Sequence, residues 1–443
     1  MNISIFLFAI FSLIRTQIIV IPFKTEVHSK FSHENYMSEL IGNKIFVELK
    51  IGTPGQKIPV LLKLNKIPFF LTPSSFIENS INFNPSKSLS FYQIGNKTYP
   101  SNNNANYDYN DAYLGEDIIS IENNSNKDSF LNYMQFFLAT NLTEKYKNIS
   151  GEIGLNIINP PYISFINQLK YKKCIKNYIF SLKYTSENEG EFHLGNYYHL
   201  YDNNYNESEL KKMEIGLPQK TYIDGWELFF YKIILSSGNI TYNNNVLLSY
   251  EFGLIYGTLN YYNLIKEIYF QKYGKNCQKK NFGEKEFYFV CENDINLEMF
   301  PDLIFAHYDF NFTLTKNELW KKFDNKYYFF IIFSEEERKE WILGKIFFQK
   351  YIIFFNSNEK TIGFYNNFKN KENNKNNKSN ELSISLPWIL VIVLFFMLII
   401  SIVFIVYFAK FKERKKRVNE LEDKYDYVSP ENYNKESPIS INN

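Results

Sequence analysis

Cysteine is scarce in this chain: 443 residues carry three. Three thiols cannot staple a small disulfide scaffold, and the spacing of Cys174, Cys277 and Cys291 fits no zinc motif. No grouping of His, Asp or Cys suggests a Ser-His-Asp triad or a metal centre, so neither a metal nor a cofactor is expected. An excess of one charge sign is missing too. Lysine plus arginine stands at 49 against 47 for aspartate plus glutamate, which gives no global field for nucleic acid or a strongly acidic partner. Long helical periods are also scarce. What the chain has instead is 45% hydrophobic residues, an aromatic share of 19% of all residues, and length enough for one large two-lobed domain or two to three ordinary ones.

The ends carry targeting signals. Ile3 to Ile14 is a short apolar run followed by Arg15, Thr16 and Gln17, which reads as a secretory signal peptide over 1–17. Trp388 to Ala409 is an almost uninterrupted apolar stretch, opened by Pro387 and long enough to cross about 30 Å of hydrocarbon as a helix. Lys410, Lys412, Arg414, Lys415, Lys416 and Arg417 follow at once, and the excess of positive charge assigns that side to the cytosol. The expectation is a single-pass type I membrane protein of the secretory or endolysosomal route or the plasma membrane.

Around the span, residues 369–386 are rich in Asn and Lys and read as a solvated stalk, and 410–443 as a polar cytoplasmic tail. Within the tail, Tyr425-Asp426-Tyr427-Val428 has the form of a tyrosine-based sorting signal, with a vesicle-coat adaptor as its partner. Asn96, Asn123, Asn141, Asn148, Asn206, Asn239, Asn311 and Asn377 each open a glycosylation sequon, and all lie between the signal and the span.

Between Gly42 and Phe368 the apolar residues come in short runs separated by Asn, Gly, Asp and Ser. Lys44–Ile51, Val60–Leu62, Ile118–Ile121, Tyr178–Tyr184, Leu228–Leu235, Val246–Leu248, Phe287–Val290 and Tyr351–Phe355 are expected strands. The fold class is therefore mainly β.

Four segments then resemble the pepsin-like aspartic proteases, in that family's order. They are Ile45–Gln56 with its Ile-Gly-Thr-Pro-x-Gln turn, Phe83–Phe91, Ser150–Leu155, and Trp341–Tyr351 running on to Thr361–Phe364. The resemblance implies a bilobal fold, with a first lobe over 42–186, a second over 187–368, an extension at 18–41, and a substrate cleft between the lobes. In the family each lobe gives the cleft one Asp-Thr/Ser-Gly loop, and the two carboxylates share a proton while activating water. This chain has neither sequence.

On the first loop the match puts Lys63 at the aspartate, with Leu64 and Asn65 after it. An ammonium neither accepts a proton from water nor shares one with a carboxyl. On the second loop two registers stand: the gapless one puts Ser249 at the aspartate, and a two-residue shift puts Glu251-Phe252-Gly253 on Asp-Thr-Gly. A lysine near a cleft floor needs a counter-charge, and Glu251 is the expected partner.

The resemblance further implies a flap, with Tyr107 as its candidate tyrosine, and a bridge between Cys277 and Cys291 worth about 3 kcal/mol, leaving Cys174 a free buried thiol. Three functions are compatible with these readings. They are an inactive pseudoprotease binding a peptide or protein in its cleft, an aspartic endopeptidase with an atypical site, and a sorting or adhesion receptor using the fold as scaffold.

Overall fold

The computed structural model describes residues 18–26, 36–66, 68–74, 81–100, 109–121, 130–142, 149–157, 164–200, 202–216, 225–235, 238, 240–308, 310–336, 340–366 and 412. The fold is mainly β. Two extended sheets organise the described residues up to 366, and the longest α-helices among them, Phe165–Tyr171 and Leu259–Ile265, have seven residues each. The expected span at 387–409 lies outside the described residues, among which no helix is long and apolar enough to cross a membrane.

Alternation builds the strands. In Ile45–Ile51 the side chains of Ile45, Val47, Leu49 and Ile51 are buried, while the residues between face outward. The next strand, Gln56–Lys63, starts in the same way and then buries Val60, Leu61 and Leu62 in succession. That change marks entry into a sheet covered on both faces, where a parallel ladder needs apolar side chains up and down.

One sheet holds thirteen strands and takes residues from both ends of the chain. Ile19–Thr25 lies in it between Glu189–Leu194 and Ile45–Ile51, with Ile19, Ile21 and Phe23 buried at period two. The extension at 18–41 is thus woven into the sheet. Its helix Tyr36–Ile41 packs on the other half of the molecule, where the Tyr36 ring stacks 4.3 Å from Phe323. The turn joining Ile179–Tyr184 to Glu189–Leu194 contains the expected lobe boundary. Tyr351–Asn356, buried at every position, runs between Ile179–Tyr184 and Thr361–Asn366.

The second sheet is assembled from residues between Glu227 and Leu343. Its hairpin Cys277–Phe282/Glu286–Glu292 sets Cys277 directly opposite Cys291, and the two form a disulfide. Cys174 is buried and not disulfide-bonded, and burial pushes its thiol pKa up.

The first two sequence motifs meet in space. Gln56 donates from Nε2 to the Asn84 carbonyl at 2.9 Å and accepts at Oε1 from the Asn84 amide at 2.8 Å, joining the Thr-Pro turn to the Phe83–Phe91 segment. Gly52, at φ +89°, has no room for a side chain because a Cβ would lie 2.6 Å from Ser88 Oγ.

Candidate functional site

Two parallel ladders, one in each sheet, meet the same kind of loop. In the first, Gln56–Lys63 runs beside Gly151–Gly154, pairing Leu62 with Ile153 and Lys63 with Gly154. In the second, Ile240–Leu248 runs beside Glu340–Leu343, pairing Leu247 with Ile342 and Leu248 with Leu343. Each chain then turns and comes back along the other side of the short strand: Phe69 pairs with Ile153, and Ile255 with Leu343.

Lys63 precedes Phe69 by the same interval as Ser249 precedes Ile255. The equivalence of the two halves therefore carries Lys63 onto Ser249, Leu64 onto Tyr250 and Asn65 onto Glu251. The register in which Ser249 corresponds to Lys63 follows from the ladders without a gap.

The structure brings Lys63 and Glu251 together. Lys63 Nζ lies 2.7 Å from Glu251 Oε2, with the two side chains 17% and 16% exposed. The other oxygen, Oε1, accepts from the Leu64 amide at 3.2 Å. One carboxylate from the second half thus takes both a charged and a backbone donor from the first, and charge-assisted bonds of this kind are the stronger ones. Ser249 is buried, and its amide donates to the Leu343 carbonyl at 3.1 Å.

Tight backbone contacts hold the Ser249–Gly253 loop from behind. The Asn43 amide donates to the Glu251 carbonyl at 2.8 Å, and Asn43 Nδ2 donates to the Tyr250 carbonyl at 2.7 Å. Gly253 donates to the Ile41 carbonyl at 2.8 Å, so close that a Cβ at Gly253 would fall 1.7 Å from the Leu40 oxygen. On the far side the Lys345 amide donates to the Phe252 carbonyl at 2.7 Å. Gly344 permits that approach, since a Cβ there would lie 1.9 Å from the Leu254 oxygen. Tyr250 is fully buried, its hydroxyl has no hydrogen-bond partner among the described residues, and burial drives its pKa well above the usual tyrosine value, with Glu251 and Glu152 adding to the rise.

This arrangement is a neutralised ion pair bridging two sheets. Among the described residues the hydrogen bonds to this carboxylate come from a lysine and an amide, and none comes from a second carboxyl. Among the described residues no group of three or more His, Cys, Asp or Glu is arranged to hold a metal ion.

Other candidate residues are spread over the molecule. Tyr107 falls in the connection between strands Tyr92–Pro100 and Tyr109–Ile121, outside the described residues, as do Asn123, Asn148, Asn239, Asn377, Tyr425 and Val428. Asn141, Asn206 and Asn311 are exposed, and Asn96 belongs to the strand Tyr92–Pro100. Sequence reasoning missed Asn43 and Trp226. Trp226, buried at 1% exposure, donates from Nε1 to the Leu155 carbonyl at 2.9 Å and so ties the end of the first ladder to the start of the second sheet. No local pattern marks Asn43, because its partners are more than 140 positions away.

No curated protein matches the chain. The family model described as eukaryotic aspartyl protease matches residues 44–367, which takes in both ladders, both loops and all four motifs. The chain belongs to the eukaryotic aspartyl protease family.

Proposed function

We propose that this protein is a membrane-tethered pseudoprotease, a pepsin-type domain without proteolytic activity that binds an extended peptide or protein ligand in the cleft between its lobes. Lys63 and Ser249 stand, on this reading, where relatives carry the two aspartates. The observation that carries it is the 2.7 Å Lys63–Glu251 pair. Aspartic proteolysis needs two carboxyl groups that share one proton, so that one acts as base toward water while the other donates to the substrate carbonyl. Here one position holds an amine and the other an alcohol. The nearby carboxylate of Glu251 is held by Lys63. Removing members of a catalytic unit costs orders of magnitude in rate.

The tether is the apolar stretch Trp388–Ala409 with its cationic flank, oriented so that Asn141, Asn206 and Asn311 face the lumen or the outside. The exposure of these three sequon residues agrees with glycan attachment.

The test is turnover. The purified protein is incubated with casein and with a quenched peptide library between about pH 3 and 7, across the range in which carboxyl dyads work. The expected result is no cleavage, together with saturable retention of individual library peptides that is lost in Lys63→Asp. Pepstatin-sensitive cleavage by the wild-type chain would overturn the reading. Resistance to alkaline extraction from membranes, and a mobility shift on enzymatic deglycosylation, test the tether and its orientation.

A further inference from the structure

A second concavity has neither Lys63 nor Ser249 in its wall. It is a cavity of about 350 Å³ enclosed by the end of the helix Tyr36–Ile41, the turn at Glu187 and Asn188, and the helices Lys316–Leu319 and Lys345–Lys350. That volume lies within the range of small-molecule sites.

Its charged residues do not all cancel internally. Glu318 is taken by Lys350 at 2.6 Å, and Glu26 by Lys44 at 2.8 Å. Lys345, Lys321, Glu39 and Glu187 remain, and among the described residues none of these four makes an ion pair. Among the described residues the Lys345 ammonium donates only to the amide oxygen of Asn188, at 3.1 Å, with the Tyr184 ring 5.9 Å away. Burial pushes its pKa down, and Lys321 adds to the drop while Glu187 opposes it. One oxygen of the Glu39 carboxyl is buried with no hydrogen-bond partner. Among the described residues the cavity is therefore lined by a cation with no carboxylate in ion-pair contact and by a carboxyl oxygen with no hydrogen-bond donor. Both residues are half-buried, where leaving such a group without a partner carries a cost.

We propose that this cavity binds a zwitterion of the amino-acid class, a free apolar amino acid or dipeptide, with its carboxylate on Lys345 and its ammonium at Glu39. Two unpaired acids and two unpaired bases leave the lining neutral, so an anion would meet Glu39 and Glu187, and a cation would meet Lys321 and Lys345. A ligand carrying both charges compensates both. Leu40, Phe330 and Ile346 supply the apolar part of the wall. Asn43 also lines the cavity and is the residue that holds the Tyr250 and Glu251 carbonyls, so an occupant touches a support of the cleft-floor loop. The inference does not depend on what the cleft binds.

Calorimetric titration of the purified full chain with L-leucine and with leucyl-leucine tests it, each beside N-acetyl-leucine and leucinamide, which keep one charge apiece. At least one of the two zwitterions is expected to bind saturably below about 10 mM and to raise the unfolding midpoint, and both single-charge analogues are expected to bind at least about tenfold more weakly. Saturation by leucine alone would identify the single amino acid, and by leucyl-leucine alone the dipeptide. Lys345→Met and Glu39→Gln should each reduce binding by about tenfold or more, as loss of a charge-assisted bond requires. The analogues decide the matter even where a variant fails to fold. No saturable binding by either zwitterion, equal binding by the analogues, or undiminished binding by a folded Lys345→Met or Glu39→Gln protein would overturn the assignment.

Discussion

Lys63, at the end of one parallel ladder, and Glu251, in the loop beyond the other, form a 2.7 Å ion pair across the two halves of the molecule. Neither residue has a charged neighbour in sequence that would produce this pairing. It arises because the two halves are so nearly equivalent that their loops face each other, with Glu251 one step further along its loop than the residue matching Leu64.

Lys63→Met leaves the Glu251 carboxylate mostly buried with one backbone donor, and should cost about 2–3 kcal/mol of stability. Glu251→Gln keeps an acceptor and should cost less. Lys63→Met combined with Glu251→Leu should recover at least half of the single-mutant loss, giving a coupling of about 1 kcal/mol or more in a denaturant double-mutant cycle. Strict additivity would show that the two side chains are neighbours without mutual stabilisation.

Gly253 and Gly42 should respond in opposite ways to the same change. A Cβ at Gly253 would meet the Leu40 carbonyl at 1.7 Å, whereas one at Gly42 meets nothing within 4 Å. Gly253→Ala should destabilise by about 3 kcal/mol or more, because backbone has to move. Gly42→Ala should stay within about 0.5 kcal/mol of the parent. Thermal unfolding of the pair measures both, and a tolerated Gly253→Ala would contradict the close approach.

Removing the bridge between Cys277 and Cys291, which are 14 positions apart, frees a loop in the unfolded chain and should lower stability by about 3 kcal/mol. Urea denaturation of Cys277→Ser/Cys291→Ser reads this directly. An unshifted midpoint would mean that the hairpin holds its register without the bond.

His193 is buried, with Nε2 3.0 Å from Glu191 Oε2. Burial, the larger effect, pushes its pKa below the ordinary 6.5, while Glu191 and Asp202 pull it up and Lys183 pushes it further down. The fold thus favours neutral imidazole, and the unfolded chain takes up the proton first. The stability contributed is fully present above about pH 6.5 and is lost as pH falls from there toward the folded value. His193→Gln should flatten that part of the stability profile. A slope unchanged by the substitution would assign the acid sensitivity to other groups.

Much of the fold was legible because it is written in local alternation. Ile45, Val47, Leu49 and Ile51 announce a half-buried strand, and the succession Val60-Leu61-Leu62 announces a doubly covered one. The Ile-Gly-Thr-Pro-Gly-Gln and Trp-Ile-Leu-Gly motifs were equally readable. Their glycines answer steric demands that each motif carries with it: Gly52 sits at a positive φ against Ser88, and Gly344 lies under the Leu254 carbonyl. Ile19-Val20-Ile21-Pro22-Phe23 carries a period-two pattern that by itself indicates only an extension, and its burial in the central sheet depends on a strand whose paired residues, from Leu194 with Ile19 to Gly190 with Phe23, are distant in sequence.

By itself, then, the sequence determined a mainly β chain of the aspartyl protease family in which neither Asp-Thr-Gly nor Asp-Ser-Gly occurs, because strand periodicity and turn chemistry are properties of neighbouring residues. Only the tertiary structure decided which residue of the second loop corresponds to Lys63. Ser249 and Glu251 lie two positions apart on one loop, and nothing local distinguishes them. The pairing of Leu248 with Leu343, set beside that of Lys63 with Gly154, carries Lys63 onto Ser249 and turns Glu251 toward the lysine. A ladder's register is a relation between distant strands, and it is from that relation that the ion pair follows.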